Sequence, residues 1–540
     1  MTARTPQGRG PRSLRLAFIC VGVVMVYLDS TVVGVALPDM QEKMDIGVSA
    51  LQWVFDIYVL TFACFLLTAG TLGDALGRGR VFLVGLTGFT GASVACALAT
   101  GIEALLVARA VQGVFGAVMI TVSLALIRQL YTEERARASA VATWAGVGGV
   151  ALAAGPIVGG LLVDAYSWQS IFWINLPIGV LALGALAWLL PLGTGRAAAG
   201  AEPGRKADWI GQLLFVTGIG AMAYALIEAG PRGWGSPLTV GLLVGSVLVL
   251  AGCLRWESRT SHPMLPLALL RHRVVLMTCW VNFLCFFGLY GVIFLLTLFL
   301  QQVNGLTPVQ TGLRLLALTA SITVASLLAP AVAARLGTRI VIVIGSLVAV
   351  GGFVGLTGME ASSGFGTYWW PLLLIGTGVS VVGAPATVAL LSAVPPQQAG
   401  IASGMSQTCR QVGAVFGVAL SGTLVQQRLH SGLPDVLATV PLPDAARREL
   451  AGAIEHGQSG GADALPADIR QSLLRSVGDL MADGLHTAVL VAAAGAALGA
   501  VAAAALLRRQ GSGTTPAPGN EPEPATAELR PGTSSYCPES

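Results

Sequence analysis

Four ionisable side chains stand inside apolar runs of this chain. Asp29 interrupts the run 16–37, in LDSTVVGVALP (28–38). Asp56 lies in LQWVFDIYVL (51–60), Arg109 in LLVARAVQGVFGA (105–117) and Arg410 in CRQVGAVFG (409–417). A charge in such a run is costly. It ordinarily faces a cavity or pairs with another charge, and it marks an ion or proton pathway. At 1.5 Å of helical rise per residue, Asp29 and Arg109 lie about 12 Å and 8 Å from the same ends of their runs. Those depths fit a pair, made directly or through Gln112 or a water. The chemistry on offer is reversible protonation: burial disfavours a carboxylate's charged form and a nearby Arg favours it. Opposed in this way, the two influences would poise Asp29 so that its proton changes hands as its surroundings change. Asp56 is nearer the end of its run, with Trp53 and Tyr58 at interfacial-belt positions. It is either a second such acid or a hydrated surface group. Arg410 lies about 10 Å from the end of its run, where it faces a central cavity or snorkels to the interface.

Three further stretches carry candidates. GTLGDALGRGR (70–80) is a tight turn between two apolar runs. Gly70 and Gly77, with Gly73, permit close helix approach and a sharp reversal. Asp74, Arg78 and Arg80 offer charges that can engage helix ends as a conformational latch; the simpler reading is that the basic residues only fix topology. GGVALAAGPIVGGLL (148–162) spaces small residues along one run. Gly155, Gly159 and Gly160 let a neighbour pack closely, and Pro156 bends a helix. VNFLCFFGLYGVIF (281–294) repeats aromatic residues at helical spacing, Phe286 and Tyr290 among them, with Asn282 alongside. This is either a packing face or an aromatic wall for a flat hydrophobic substrate. Gln112, Asn282, Phe286, Tyr290 and Arg410 form the expected substrate cavity.

The elements that must position these residues are membrane helices. Of 540 residues, 54% are hydrophobic and 11% charged, against about 25% charged in soluble domains. Runs of about 20 apolar residues, enough to cross a bilayer, occur fourteen times, so an all-α polytopic membrane protein is expected. An even count puts both termini on one side. With the N-terminus inside, twenty Lys and Arg fall in inner segments, against only Lys43 and Arg232 in short outer loops. That split predicts cytoplasmic termini.

The turns DALGRGR (74–80) and ARLGTRI (334–340) align Gly77 with Gly337 and follow the second and tenth spans. This suggests two six-helix halves, 16–191 and 274–507, with two helices inserted at 209–254 and a site between the halves. The N-terminus 1–15 is expected in the cytoplasm. Segment 428–484 is expected outside, as a loose loop or with two short surface helices at 443–456 and 467–481. The tail 508–540 is rich in Gly, Pro, Ser and Thr and should be a disordered cytoplasmic segment.

Other chemistries find no support. Eight Cys form no CxxC and five His show no ligand spacing, so no disulfide framework or metal site is expected. The only lysines, Lys43 and Lys206, are followed by Met44 and Ala207, so no GxxxxGK[ST] phosphate loop exists. No nucleophile–base set points to an enzyme, and nothing points to nucleic acid.

Read together, LDSTVVGVALP, GTLGDALGRGR, RAVQG (109–113), GPIVGG (155–160), SWQSIFWINLPIG (167–179) and IEAGPRGW (227–234) resemble the ordered motifs of the major facilitator superfamily. The resemblance is to its fourteen-spanner drug:proton antiporter family and covers roughly residues 12–507. It implies proton-driven efflux of amphiphilic drugs or antibiotics by alternating access in the plasma membrane. The proton gradient is then the energy source, no cofactor is required and a monomer suffices. It implies Asp29 as the main proton carrier with Arg109 responding, 70–80 as the latch, and GPIVGG as the antiporter helix motif. The chain departs from the family in having Gly34 where Asn is frequent and Ala75 where Arg is frequent. Asp56 is similar to an acid of a subset that exports lipophilic cations, yet the middle of span 10 lacks that subset's further acid. The E-x-x-E-R first-helix signature of peptide importers is absent. Export of one dedicated compound, a self-made metabolite or a lipid, is the alternative to broad multidrug export.

Overall fold

The computed structural model describes residues 12–189, 208–260, 263–395, 398–438, 443–455 and 466–506. Residues 1–11 and the expected tail, with Cys537, lie outside them. The helices are α1 (Arg12–Met44), α2 (Val48–Leu76), α3 (Arg78–Ala97), α4 (Ile102–Leu130), α5 (Glu134–Ala165), α6 (Ser170–Trp173), α7 (Asn175–Leu189), α8 (Trp209–Arg232), α9 (Pro237–Glu257), α10 (Leu267–Leu270), α11 (Arg273–Leu298), α12 (Pro308–Leu336), α13 (Thr338–Gly355), α14 (Phe365–Ala393), α15 (Ala399–Ala438), α16 (Asp444–Glu455) and α17 (Ala467–Leu506). Fourteen helical segments among the described residues are long and apolar enough to cross a membrane, so the chain is an all-α polytopic membrane protein. Below, "basic side" means the side holding the Arg-bearing turns after α2 and α12.

Local sequence explains where helices begin and reverse. Thr307 and Gln310 form a capping box at the start of α12, with Pro308 at the first helical position. Ser236 caps α9 through its side chain, again followed by a proline. The aligned glycines behave as a pair. Gly77 breaks α2 from α3 at φ +94°, and Gly337 breaks α12 from α13 at φ +84°. A side chain at either position would be strained, so the two turns share one backbone solution.

One group of helices packs as α1–α5, α2–α4, α3–α4 and α3–α7; another as α11–α15, α12–α14, α13–α14 and α13–α17. The groups meet along α5–α12 and α2–α15. Inserted helix α8 packs against both α2 and α15, and α9 packs on α8. The sixth span, expected over 171–191, runs from Ser170 to Leu189, with a turn only at Ile174 between α6 and α7. Of the two short helices expected in segment 428–484, the one at 443–456 is present as α16 (Asp444–Glu455), and the other is not a separate helix. α15 continues to Ala438, and the expected helix at 467–481 is the first part of α17. At 40 residues each, these helices are about 60 Å long, twice the hydrocarbon thickness. No proline stands between Ala467 and His486, and the helix runs through Gly478 and Gly484 without a break. Leu433 and Leu437 of α15 pack with Leu450 of α16 and Leu473 of α17. A small apolar core therefore stabilises these extensions beyond the bilayer.

Candidate functional site

α1 and α4 bring Asp29 and Arg109 into direct contact. Arg109 Nη1 donates to Asp29 Oδ2 at 2.6 Å and to Gln112 Oε1 at 2.9 Å. Gln112 Nε2 donates to Asp29 Oδ1 at 2.9 Å, which closes a triangle. Asp29 and Arg109 are each 1% exposed. Arg109 Nε also donates to the Val54 carbonyl at 3.3 Å, and the guanidinium lies 4.2 Å from the centre of the Tyr58 ring. The triangle has one arrangement of donors and acceptors. It uses both carboxylate oxygens as acceptors, and any donor placed on residue 29 faces another donor. Gln112, expected either to bridge this pair or to line a substrate cavity, joins the ionic network.

Asp56 is not a hydrated surface group. It is 0% exposed, and neither carboxylate oxygen has a hydrogen-bond partner. One turn before it, Gln52 Nε2 donates to the carbonyls of Val418 and Ala419 in α15, at 3.2 and 2.8 Å. One turn after it, Leu60 reaches Gly220 of α8. This brackets Asp56 between α2, α15 and α8. Tyr58, expected in the interfacial belt, is buried beneath Arg109, and its hydroxyl donates to the Val26 carbonyl at 3.3 Å.

The glycines of α5 touch the turn of α1 that follows Asp29. A Cβ on Gly155 would overlap Thr31 Oγ1, and one on Gly159 would lie 2.7 Å from Val32. Thr31 Oγ1 also donates to the Leu152 carbonyl at 3.2 Å. The same helix meets the second half: a Cβ on Gly160 would lie 2.6 Å from the Pro308 carbonyl oxygen, and one on Gly312 would overlap that of Pro156. Pro156 leaves α5 continuous from Glu134 to Ala165. α5 is thus in backbone contact with both the Asp29 turn and α12.

The 70–80 turn packs within its own half. Gly73 faces Val122 and Gly70 faces Thr121, both on α4. Arg78 Nη1 donates to the Ala125 carbonyl at 3.3 Å, near the carbonyl end of α4, where a cation is favoured. Arg80 is exposed, and the side chain of Asp74 lies outside the described residues.

The aromatic residues of α11 divide between faces. Phe286 and Tyr290 stack at 6.0 Å, Tyr290 meets Phe55 of α2 edge-on at 5.9 Å, and Arg410 of α15 lies 4.0 Å above the Phe286 ring. Phe283 instead packs with Trp280, Phe287 and Phe416. Asn282 is buried and donates to Ser406 Oγ at 3.0 Å, tying α11 to α15 rather than facing open space. Of the expected cavity set, the structure brings together Phe286, Tyr290 and Arg410.

Sequence reasoning missed three residues. Asn175 approaches the Asp29 carboxylate and donates to Ser93 Oγ at 3.0 Å. Gln52 fastens α2 to α15, and Thr31 fastens α1 to α5. Asn175 stands alone among apolar neighbours in IFWINLPIG, a signal of the kind that identified Asp29. Thr31 carries no such mark, because an isolated Thr is ordinary in a membrane helix.

The model of the Major Facilitator Superfamily matches residues 19–418. The chain is 36% identical, over 98% of both chains, to the tetracenomycin C resistance and export protein of Streptomyces glaucescens. It is 36% identical to a multidrug resistance protein of Mycobacterium tuberculosis, covering 80% of this chain and 79% of that one. It is 37% identical to a puromycin resistance protein of Streptomyces alboniger, covering 77% and 83%. In fold it is similar to a bacterial homologue of the lysosomal transporter Spinster, with a TM-score of 0.59 at 15% identity over 93% of this chain and 100% of that one. It is likewise similar to the nucleoside transporter NupG, with a TM-score of 0.59 at 13% identity over 92% and 100%. The chain belongs to the Major Facilitator Superfamily.

Proposed function

We propose that this protein exports amphiphilic small molecules across the plasma membrane in exchange for protons, by alternating access, with the basic side and both termini in the cytoplasm. The observation that carries the proposal is the Asp29–Arg109–Gln112 triangle. Its hydrogen bonds suit an ionised Asp29. A proton on Asp29 adds a donor for which the triangle has no acceptor, and it removes the charge that holds Arg109. Protonation therefore unlocks the triangle, and deprotonation rebuilds it. The glycine face of α5 transmits that event, because it touches the next turn of α1 on one side and α12 of the other half on the other.

The cross-half hydrogen bonds Gln301–Val35, Gln302–Gln41, Val309–Asp164, Gln52–Ala419, Thr323–Gly149 and Thr408–Ala63 lie between the non-basic ends and the helix middles. They support a conformation closed on the outside. In this conformation the 70–80 turn rests on α4, and as a latch it engages the second half when the cytoplasmic side closes. Asp56 carries a second proton, held as the neutral acid in a place with no partner for its charge. No cofactor takes part, and one chain suffices.

A dedicated substrate is the second reading. It is favoured by the relative aligned over 98% of both chains, a tetracenomycin C resistance and export protein. The test is uptake into proteoliposomes under an imposed pH gradient with a panel of compounds. Gradient-driven movement of several unrelated compounds supports multidrug export, and movement of one supports the dedicated reading. Transport indifferent to the gradient overturns antiport.

A further inference from the structure

Among the described residues, three basic side chains sit well inside the spans, and two have polar partners. Arg109 is neutralised by Asp29. Arg314 donates to the Tyr368 hydroxyl at 2.6 Å. Arg410 differs from both: its Nε is buried without a hydrogen bond, and its guanidinium rests over Phe286 at 4.0 Å. Eleven residues into α15, it lies about 16 Å from the start of that helix, too deep to be an interfacial cation. The titratable groups facing it are Tyr27 of α1 and Tyr290 of α11, both phenols. Arg410 as a whole is half-buried, and a guanidinium partly withdrawn from water without a counter-charge is costly, a cost that one aromatic face offsets only in part. Its planar fork of donors is shaped for a carboxylate. The rings beside it, Phe286, Tyr290 and Phe55, offer faces and edges to a flat aromatic body. The two embedded acids offer nothing comparable to a cation. Asp29 is saturated by Arg109 and Gln112, and Asp56 is closed off between helices.

We propose that Arg410 receives the negative charge of the substrate, and that the transported class is flat aromatic compounds bearing a carboxylate or an ionised phenol, in preference to lipophilic cations. This rests on the reading of the protein as an exporter with a cavity between its halves. The test is binding to the full-length protein in nanodiscs, measured by fluorescence anisotropy with three probes of one shape: anthracene-9-carboxylate, 9-(aminomethyl)anthracene and neutral 9-methylanthracene. The expected result is at least about tenfold tighter binding of the carboxylate than of the amine, as one charge-assisted contact supplies. Arg410→Gln removes that preference and leaves the neutral probe within about twofold, whereas Arg410→Lys, which keeps the charge, retains part of it. Equal or tighter binding of the amine, no saturable binding of the carboxylate, or an unchanged preference in Arg410→Gln overturns the proposal. Should Arg410→Gln not fold, the wild-type ranking and the Arg410→Lys protein decide. Binding is read without transport, so a preference that survives in a protein indifferent to pH gradients refutes the antiport reading and leaves this one standing.

Discussion

Replacing Asp29 by Asn keeps the size of the side chain and removes one charge, and the triangle dictates the outcome. One atom of the introduced amide faces Arg109 and the other faces Gln112. If its oxygen faces Arg109 Nη1, its nitrogen meets Gln112 Nε2, donor against donor. Turning Gln112 over cures that contact and sets its nitrogen against Arg109, which in the native triangle donates to the Gln112 oxygen at 2.9 Å. Turning the introduced amide over instead sets a donor against Arg109 directly. Every arrangement leaves one frustrated contact and an uncompensated guanidinium at 1% exposure. Breaking a buried pair from one side costs about 3–5 kcal/mol. Adding Arg109→Met reverses this. The thioether fills the space over Tyr58, and the introduced amide and that of Gln112 can each donate to and accept from the other. The double variant should therefore be more stable than Asp29→Asn alone, with a coupling energy of about 2 kcal/mol or more. The assay is thermal unfolding of purified protein followed by a thiol-reactive dye, since Cys20, Cys64, Cys96, Cys253, Cys279 and Cys285 are buried until the bundle opens. The prediction is a lowered melting temperature for Asp29→Asn that Arg109→Met largely restores. A double variant as unstable as the sum of its singles would refute the reasoning.

Asp56 should respond in the opposite way. Its carboxylate has no hydrogen bond to lose, so Asp56→Asn leaves the melting temperature unchanged or raises it while lowering gradient-driven transport; a clear loss of stability would reveal a partner. Gly155→Ala drives a methyl into Thr31 Oγ1, and overpacking of this kind costs about 1–3 kcal/mol. Transport should fall, with partial recovery in Gly155→Ala/Thr31→Ala; full activity in the single variant would remove α5 from the coupling. Gly77→Ala and Gly337→Ala should destabilise by similar amounts, about 1–2 kcal/mol, because the two backbones share nearly the same positive φ. Unequal effects in melting experiments would argue against a shared turn.

Residues that break a pattern were legible in the sequence, and residues that conform to it were not. Asp29 and Arg109 stood out because a charge in an apolar run must be explained, and helical rise put them at compatible depths. Gly77 and Gly337 stood out through a seven-residue repeat, and the matching backbone angles give that repeat a physical basis. The direction of a side chain was not legible. Gln112 and Asn282 are both polar residues within their spans, yet one closes an ionic triangle and the other ties two helices of the same half. Rotation of a helix about its axis decides this, and an all-round apolar helix such as α11 has no polar stripe to fix that rotation. Tyr58 looked interfacial because Tyr favours that zone; the cation beneath which it lies belongs to another helix. In the 428–484 segment, read as a loose loop or two short helices, amphipathic spacing made α16 legible, whereas the outward extensions of α15 and α17 were not, because they rest on long-range packing of Leu433, Leu450 and Leu473.

Coupling itself is tested most directly by proton movement. Proteoliposomes containing a trapped pH indicator would receive a transported substrate of fixed charge, with no gradient imposed and the membrane potential clamped. The account predicts a substrate-dependent pH change inside the vesicles with wild-type protein, and none with Asp29→Asn/Arg109→Met, a variant expected to fold. A wild-type protein that moves substrate without moving protons, or a double variant that moves both at the wild-type rate, would contradict it.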